Sequence, residues 1–173
     1  MRARTLIGAI LGGVAGLAAC ARQDSTEPRS NADVVPANAV PIPAAEVDTL
    51  VQTVRSGVSE RGRVVIRDQE TFAAFWAQVH ATQMPVPDAP TVDFETSMVI
   101  AAAMGGKPTG GFSITIEGID RSGSDLYVTV VETSPGPTCF VTQAYTAPVV
   151  ALRVPRVTGK VEFLEESRVD ECS

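Results

Sequence analysis

The stretch MGGKPTGGFSITI, Met104 to Ile116, sets a lysine, a threonine and four glycines within eight residues. Glycine-rich runs of this kind can cradle phosphate on backbone N–H groups, with lysine on the phosphates and a Ser/Thr hydroxyl on magnesium. The spacing argues against that here. A Walker A loop needs G-x-x-x-x-G-K-[ST] opening a helix, whereas Lys107 is followed by Pro108, Ala101 stands where the first glycine belongs, and a strand-like alternation comes next. The dinucleotide pattern G-x-G-x-x-G fails for want of the same helix. What remains is a Gly/Pro/Thr hairpin loop joining two strands, with glycines that let another backbone approach closely. As a binding loop it offers Gly105, Gly106, Lys107, Pro108, Thr109, Gly110, Gly111 and Phe112. On that reading, valine at Gly110 and Gly111 weakens partner capture more than folding.

Other chemistry-bearing residues are few. The single histidine, His80, falls near the end of a predicted helix, where a partly exposed imidazolium complements the helix dipole. Cys139 is a conceivable nucleophile, but a disulfide absorbs it first. Metal sites lack their usual materials: there is one histidine, no C-x-x-C, and Glu165, Glu166, Asp170 and Glu171 read as a solvated acidic tail. No catalytic residue, metal or cofactor is expected, and the chain does not read as an enzyme.

The N-terminus, MRARTLIGAILGGVAGLAAC, places Arg2 and Arg4 before an apolar run and small residues, the pattern of an export signal. The run is roughly 13 to 15 residues long, short of the ~20 that a membrane span needs. Leu17-Ala18-Ala19-Cys20 resembles the bacterial lipobox, in which the cysteine is lipidated and becomes the mature N-terminus. The reading is therefore a signal over 1–19, a lipid anchor on Cys20, and attachment to the cell envelope without spanning it. Ala21 after the cysteine points to the outer membrane in a two-membrane cell. Loss of Arg2 and Arg4 takes the 14 basic residues to 12 against 20 acidic, and the net charge from −6 to −8. Such an excess disfavours nucleic acid and anionic lipid as partners. Cys139 and Cys172 are then left to pair as a disulfide in an oxidising compartment.

From position 20 to 48 the chain is polar and then Ala/Pro-rich, the composition of a tether. A folded domain is expected over 49–173. Within it LVQTV and RVVIR read as strands, and Asp68 can cap a helix carrying Phe72, Phe75, Trp76 and Val79 on one face. SMVIAAAM is a continuously apolar central strand. Phe112, Ile114 and Ile116 alternate with polar residues, LYVTVVET repeats the alternation after the turn SGSD, and VVALRV and KVEFL complete the set. The expected fold class is α+β, a mostly antiparallel twisted sheet of six or seven strands with one covering helix, a small β-sandwich or barrel being the alternative.

The order VDFETSMVIAAAMGGKPTGGFSITI, LYVTVVETSPGP, TAPVVALRVPR and VEF resembles the PrcB family of protease-complex subunits, over about Val92 to Phe163 and the preceding helix with FAAFW. The resemblance implies a non-catalytic protein that helps assemble, stabilise or localise a secreted or surface protease. Gly110, Gly111, Phe112 and Pro148 match its pattern. A protein partner follows from the resemblance, with contacts expected on the loop after Met104 and on the long loop from Pro135 to Pro148. KPTGGF between two strands is also similar to the loop of chagasin-type cysteine-protease inhibitors, a competing reading. A structural envelope lipoprotein without a protease partner is the third.

Overall fold

A computed structural model describes residues 34–172. The signal over 1–19, Cys20 and the first part of the tether lie outside the described residues. The apolar run SMVIAAAM becomes β4 (Ser97–Met104), buried at every position but the first. It lies antiparallel between β3 (Arg61–Ile66) and β7 (Val149–Pro155), and β7 pairs on its other side with β2 (Asp48–Thr53). These four form one sheet in the order β2-β7-β4-β3. Alternation along β4 sends Val99, Ala101 and Ala103 to one face and Met98, Ile100, Ala102 and Met104 to the other.

The first face is covered by α1 (Gln69–Val79), which buries Phe72, Trp76 and Val79 and half-buries Phe75 against it. Asp68 caps this helix as its sequence predicts, accepting hydrogen bonds from the Thr71 N–H at 2.8 Å and the Thr71 hydroxyl at 2.9 Å. The other face meets a second sheet, built from β1 (Val40–Pro41), β5 (Ser113–Ser122), β6 (Asp125–Pro135) and β8 (Val161–Asp170) in the order β1-β5-β6-β8. Ile114, Ile119, Leu126, Val128 and Val130 close that inter-sheet core. The molecule is thus three layers, helix on sheet on sheet, and no helix among the described residues is long and apolar enough to cross a membrane.

The expected single sheet is therefore two. The arrangement is the sandwich weighed as the alternative, with a helix added, and it does not close into a barrel. The cause lies in β4: a strand apolar on both faces needs a layer on each, and α1 supplies only one. The hairpin expected at Gly105–Gly111 is likewise not a hairpin, because β4 and β5 belong to different sheets and residues 105–112 cross between the layers. The turn at Ser122–Asp125 does join a hairpin, β5 to β6. β8 runs parallel to β6 from Leu126↔Val161 to Pro135↔Asp170.

Two further segments differ from their reading. Within the stretch read as tether, β1 pairs with β5, and Ile42 and Val47 pack against the inter-sheet core. Of the acidic run read as tail, Glu165, Glu166 and Asp170 lie on β8. Glu165 joins Glu132 in holding Arg61 and Arg63 of the opposite sheet, with contacts of 2.6 to 2.8 Å. Burial opposes the charge on Arg63, but its hydrogen bonds to Glu165 and Glu132 outweigh this and raise its pKa above the ordinary value. The cluster fastens the β3 edge of one sheet to β6 and β8 of the other.

Candidate protein-binding surface

The strand directions gather four connections at one end of the sandwich: residues 54–60, the exit of α1, the glycine-rich crossover 105–112 and the long crossover 136–148. Their backbones are tied together. Lys107 exchanges hydrogen bonds with Thr146, at 2.7 and 3.0 Å, the Gly110 N–H donates to the Thr142 carbonyl at 2.8 Å, and the Thr146 hydroxyl donates to the Thr109 carbonyl at 2.8 Å. Ala147 donates to the Val54 carbonyl, and Gly57 to the carbonyl of Val79 at the end of α1.

This contact between crossovers explains the glycines. A Cβ on Gly110 would stand 2.3 Å from the Thr142 hydroxyl oxygen; one on Gly111 would stand 2.8 Å from Val141 and 2.9 Å from Pro135, at a backbone φ of +86°. The space that sequence reading left for a partner's backbone is occupied by the protein's own second loop. Valine at Gly110 or Gly111 therefore strikes folding first, the reverse of the expectation above. Gly105, Gly110 and Pro148 are buried, with the Pro148 carbonyl accepting from the Met104 N–H. Gly106, Pro108 and Gly111 remain exposed, Lys107, Thr109 and Phe112 are half-buried, and the Lys107 ammonium lies 5.5 Å from the centre of the Phe112 ring.

The second loop is anchored at its base. Gly136 donates to the Asp170 carbonyl at the end of β8, Cys139 donates to the Gly136 carbonyl, and the sulfurs of Cys139 and Cys172 stand at disulfide distance, 2.11 Å. The next residue, Phe140, is fully exposed; Tyr145 is 63% exposed, and Met84, beyond the helix exit, is 92% exposed. Sequence reading marked the loop but none of these three side chains. Position alone distinguishes them from core aromatics.

His80 is not the partly exposed residue its place suggested. It caps the C-terminus of α1 at 7% exposure, its ring 4.4 Å from that of Trp76, and neither ring nitrogen has a hydrogen-bond partner among the described residues. Within the described residues the imidazole is thus hydrogen-bonded to no serine, cysteine or carboxylate. Among the described residues no three His, Cys, Asp or Glu side chains gather as a metal site. What this end offers is exposed apolar side chains on an ordered backbone, an arrangement suited to contact with another protein.

Residues 98–155 match the family model described as PrcB C-terminal. The matched stretch runs from the second residue of β4 to the last of β7 and contains both crossovers, while β1, β2, β3, α1 and β8 lie outside it. Over these residues the resemblance read from the sequence is met. No curated protein and no solved structure matches the chain.

Proposed function

We propose that this protein is a non-catalytic envelope lipoprotein, anchored through Cys20, whose loop end binds a secreted or surface protease and stabilises or localises it. The family match supports the protease-complex context, and the sequence pattern of a signal over 1–19 followed by Cys20 and a polar, Ala/Pro-rich stretch ahead of β1 supports the anchoring. The observation that carries the reading is the display of Phe140 and Tyr145 on a loop tied to β8 and to the glycine crossover. Exposed aromatic side chains on a loop whose backbone is already tied offer large apolar contact area with little further backbone ordering on contact.

Affinity capture of the full chain from its own envelope, with mass spectrometry of the bound proteins, tests this against the double variant Phe140→Ser, Tyr145→Ser. A protease retained by the native chain and depleted tenfold or more by the variant is the expected result, with lower protease stability or attachment when the gene is deleted. Equal retention by both chains removes the loop end from the function. Capture of no protease under mild crosslinking leaves a structural envelope role, and inhibition of a captured protease on re-addition moves the reading to an inhibitor.

A further inference from the structure

The described residues include eight arginines. Four pair with carboxylates, and three donate to backbone carbonyls. Arg55 alone makes no side-chain hydrogen bond or ion pair within the described residues. It borders an open recess of about 290 Å³ lined by Arg55, Ser56, Thr82, Tyr145 and Ala147. No carboxylate lines this recess, although the chain carries a net charge of −6. We infer that the recess recognises a carboxylate, the side chain of an acidic residue on the protein partner, with the Arg55 guanidinium as its principal donor.

The placement of these groups follows from backbone pairing. Arg55 and Ala147 form a parallel bridge, which sets their side chains on the same side, and Tyr145 shares that side because strand alternation repeats every two residues. The Tyr145 hydroxyl lies against Gly106, where a Cβ would come within 2.0 Å of it, so the glycine fixes where the ring rests. The hydroxyls of Tyr145 and Thr82 make no hydrogen bond within the described residues and are free to donate. Ser56 is already committed, donating to the Ala147 carbonyl at 2.7 Å and accepting from the Val58 N–H at 3.2 Å.

At the nearby C-terminus of α1 the carbonyls of Trp76, Gln78, Val79 and His80 already have donors, which lowers the negative charge this end presents: Trp76 and Gln78 accept from His80, Val79 from Gly57, and His80 from Gln83. A planar guanidinium offers two parallel N–H groups to one carboxylate, which an ammonium does not. Exposed Phe140 and Tyr145 supply apolar contact, and Arg55 supplies the charge that sets register.

This inference rests on the protein-binding reading, yet it is tested without the partner. The isotope-labelled full chain, held in mild detergent, is titrated with three probes: a pentapeptide blocked at both ends carrying one glutamate, its glutamine counterpart, and an alanine peptide with a free C-terminal carboxylate. The expected result is a saturating, salt-sensitive shift of the Arg55 Nε–H and Tyr145 amide signals by the glutamate peptide, with the glutamine peptide about tenfold weaker or more. Arg55→Gln loses the difference between the two, and Arg55→Lys, which keeps the charge without the fork, falls between. Stronger binding of the alanine peptide supports the carboxylate and assigns it to a chain terminus. Equal binding of glutamate and glutamine peptides, or an unchanged titration in Arg55→Gln, overturns the inference. Capture of a protease together with a silent titration keeps the function and removes this recess from it; a titrating recess with no captured protease does the reverse.

Discussion

At the end of the sandwich where β5 turns into β6, Arg67 donates to the carbonyls of Val157 and Gly159, and Arg156 to those of Arg67 and Phe94. At the opposite end the Arg55 side chain makes no hydrogen bond or ion pair within the described residues. Apolar exposure leans the same way: Val54, Met84, Phe140, Tyr145 and Val169 lie at the loop end and Val40 beside the β5–β6 turn, with Val64 within β3 and Val86 in the segment after α1. The backbones differ far less, since crossovers 105–112 and 136–148 are joined by hydrogen bonds as direct as those of the far end. The two ends therefore differ in which side chains are left over. One end pairs its arginines with its own backbone, and the other ties its backbones together while leaving aromatic side chains and Arg55 exposed, the arrangement on which the proposed binding rests.

The largest test of this contrast removes the staple at the loop end. Cys139 and Cys172 are 33 residues apart, and a loop of that length constrains the unfolded chain by about 3 to 4 kcal/mol. The double variant Cys139→Ser, Cys172→Ser is expected to lose that much in urea unfolding, and partner capture with it, because Phe140 follows Cys139 directly. A loss below about 1 kcal/mol would mean that packing alone orders the loop end, and the contrast would sharpen to one of side chains only.

A smaller effect separates the ends glycine by glycine. Gly111 and Gly123 both have positive φ, +86° and +61°, but a Cβ on Gly111 meets Val141 and Pro135 whereas one on Gly123 meets nothing within 4 Å. Gly123→Ala should cost about 1 kcal/mol from backbone conformation alone, and Gly111→Ala about 3 kcal/mol from conformation and overpacking together. Equal costs, measured by denaturant unfolding, would show that the second crossover does not rest on the first.

Much of this architecture was readable because apolar spacing reports faces. The helix face of Phe72, Phe75, Trp76 and Val79, the buried run of β4 and the alternation in β5 all follow from period. Period does not report which sheet a strand joins: an alternating strand reads the same in either layer, so the β4–β5 crossover read as a hairpin and the parallel β6–β8 pairing left no trace. The two-residue β1 is too short to show any period at all. The candidate site was half legible for the same reason. Gly, Pro and Thr mark a loop wherever it goes, but what fills the space above Gly110, and that the Arg55 side chain alone among the eight described arginines has no partner within the described residues, depends on residues dozens of positions away.

The smallest effect concerns the far end, where polar groups are used up locally and should therefore titrate with folding. Asp68 accepts from the backbone N–H and hydroxyl of Thr71, and Asp93 from the hydroxyl of Thr96 and the N–H of Glu95; these bonds hold both carboxyls below their usual pKa. A carboxyl depressed in the folded state contributes its stability above the unfolded value, ~3.9, and loses it as the pH falls through the folded value. Both side chains are solvent-exposed, so the contribution is modest. Asn can still cap a helix but cannot titrate there, so Asp68→Asn should unfold at nearly the native temperature at pH 3 and somewhat below it at pH 6. Native and variant melting curves that stay parallel from pH 6 to pH 3 would show that the Asp68 cap does not couple to folding, and the self-contained character of the far end would then rest on its arginines alone.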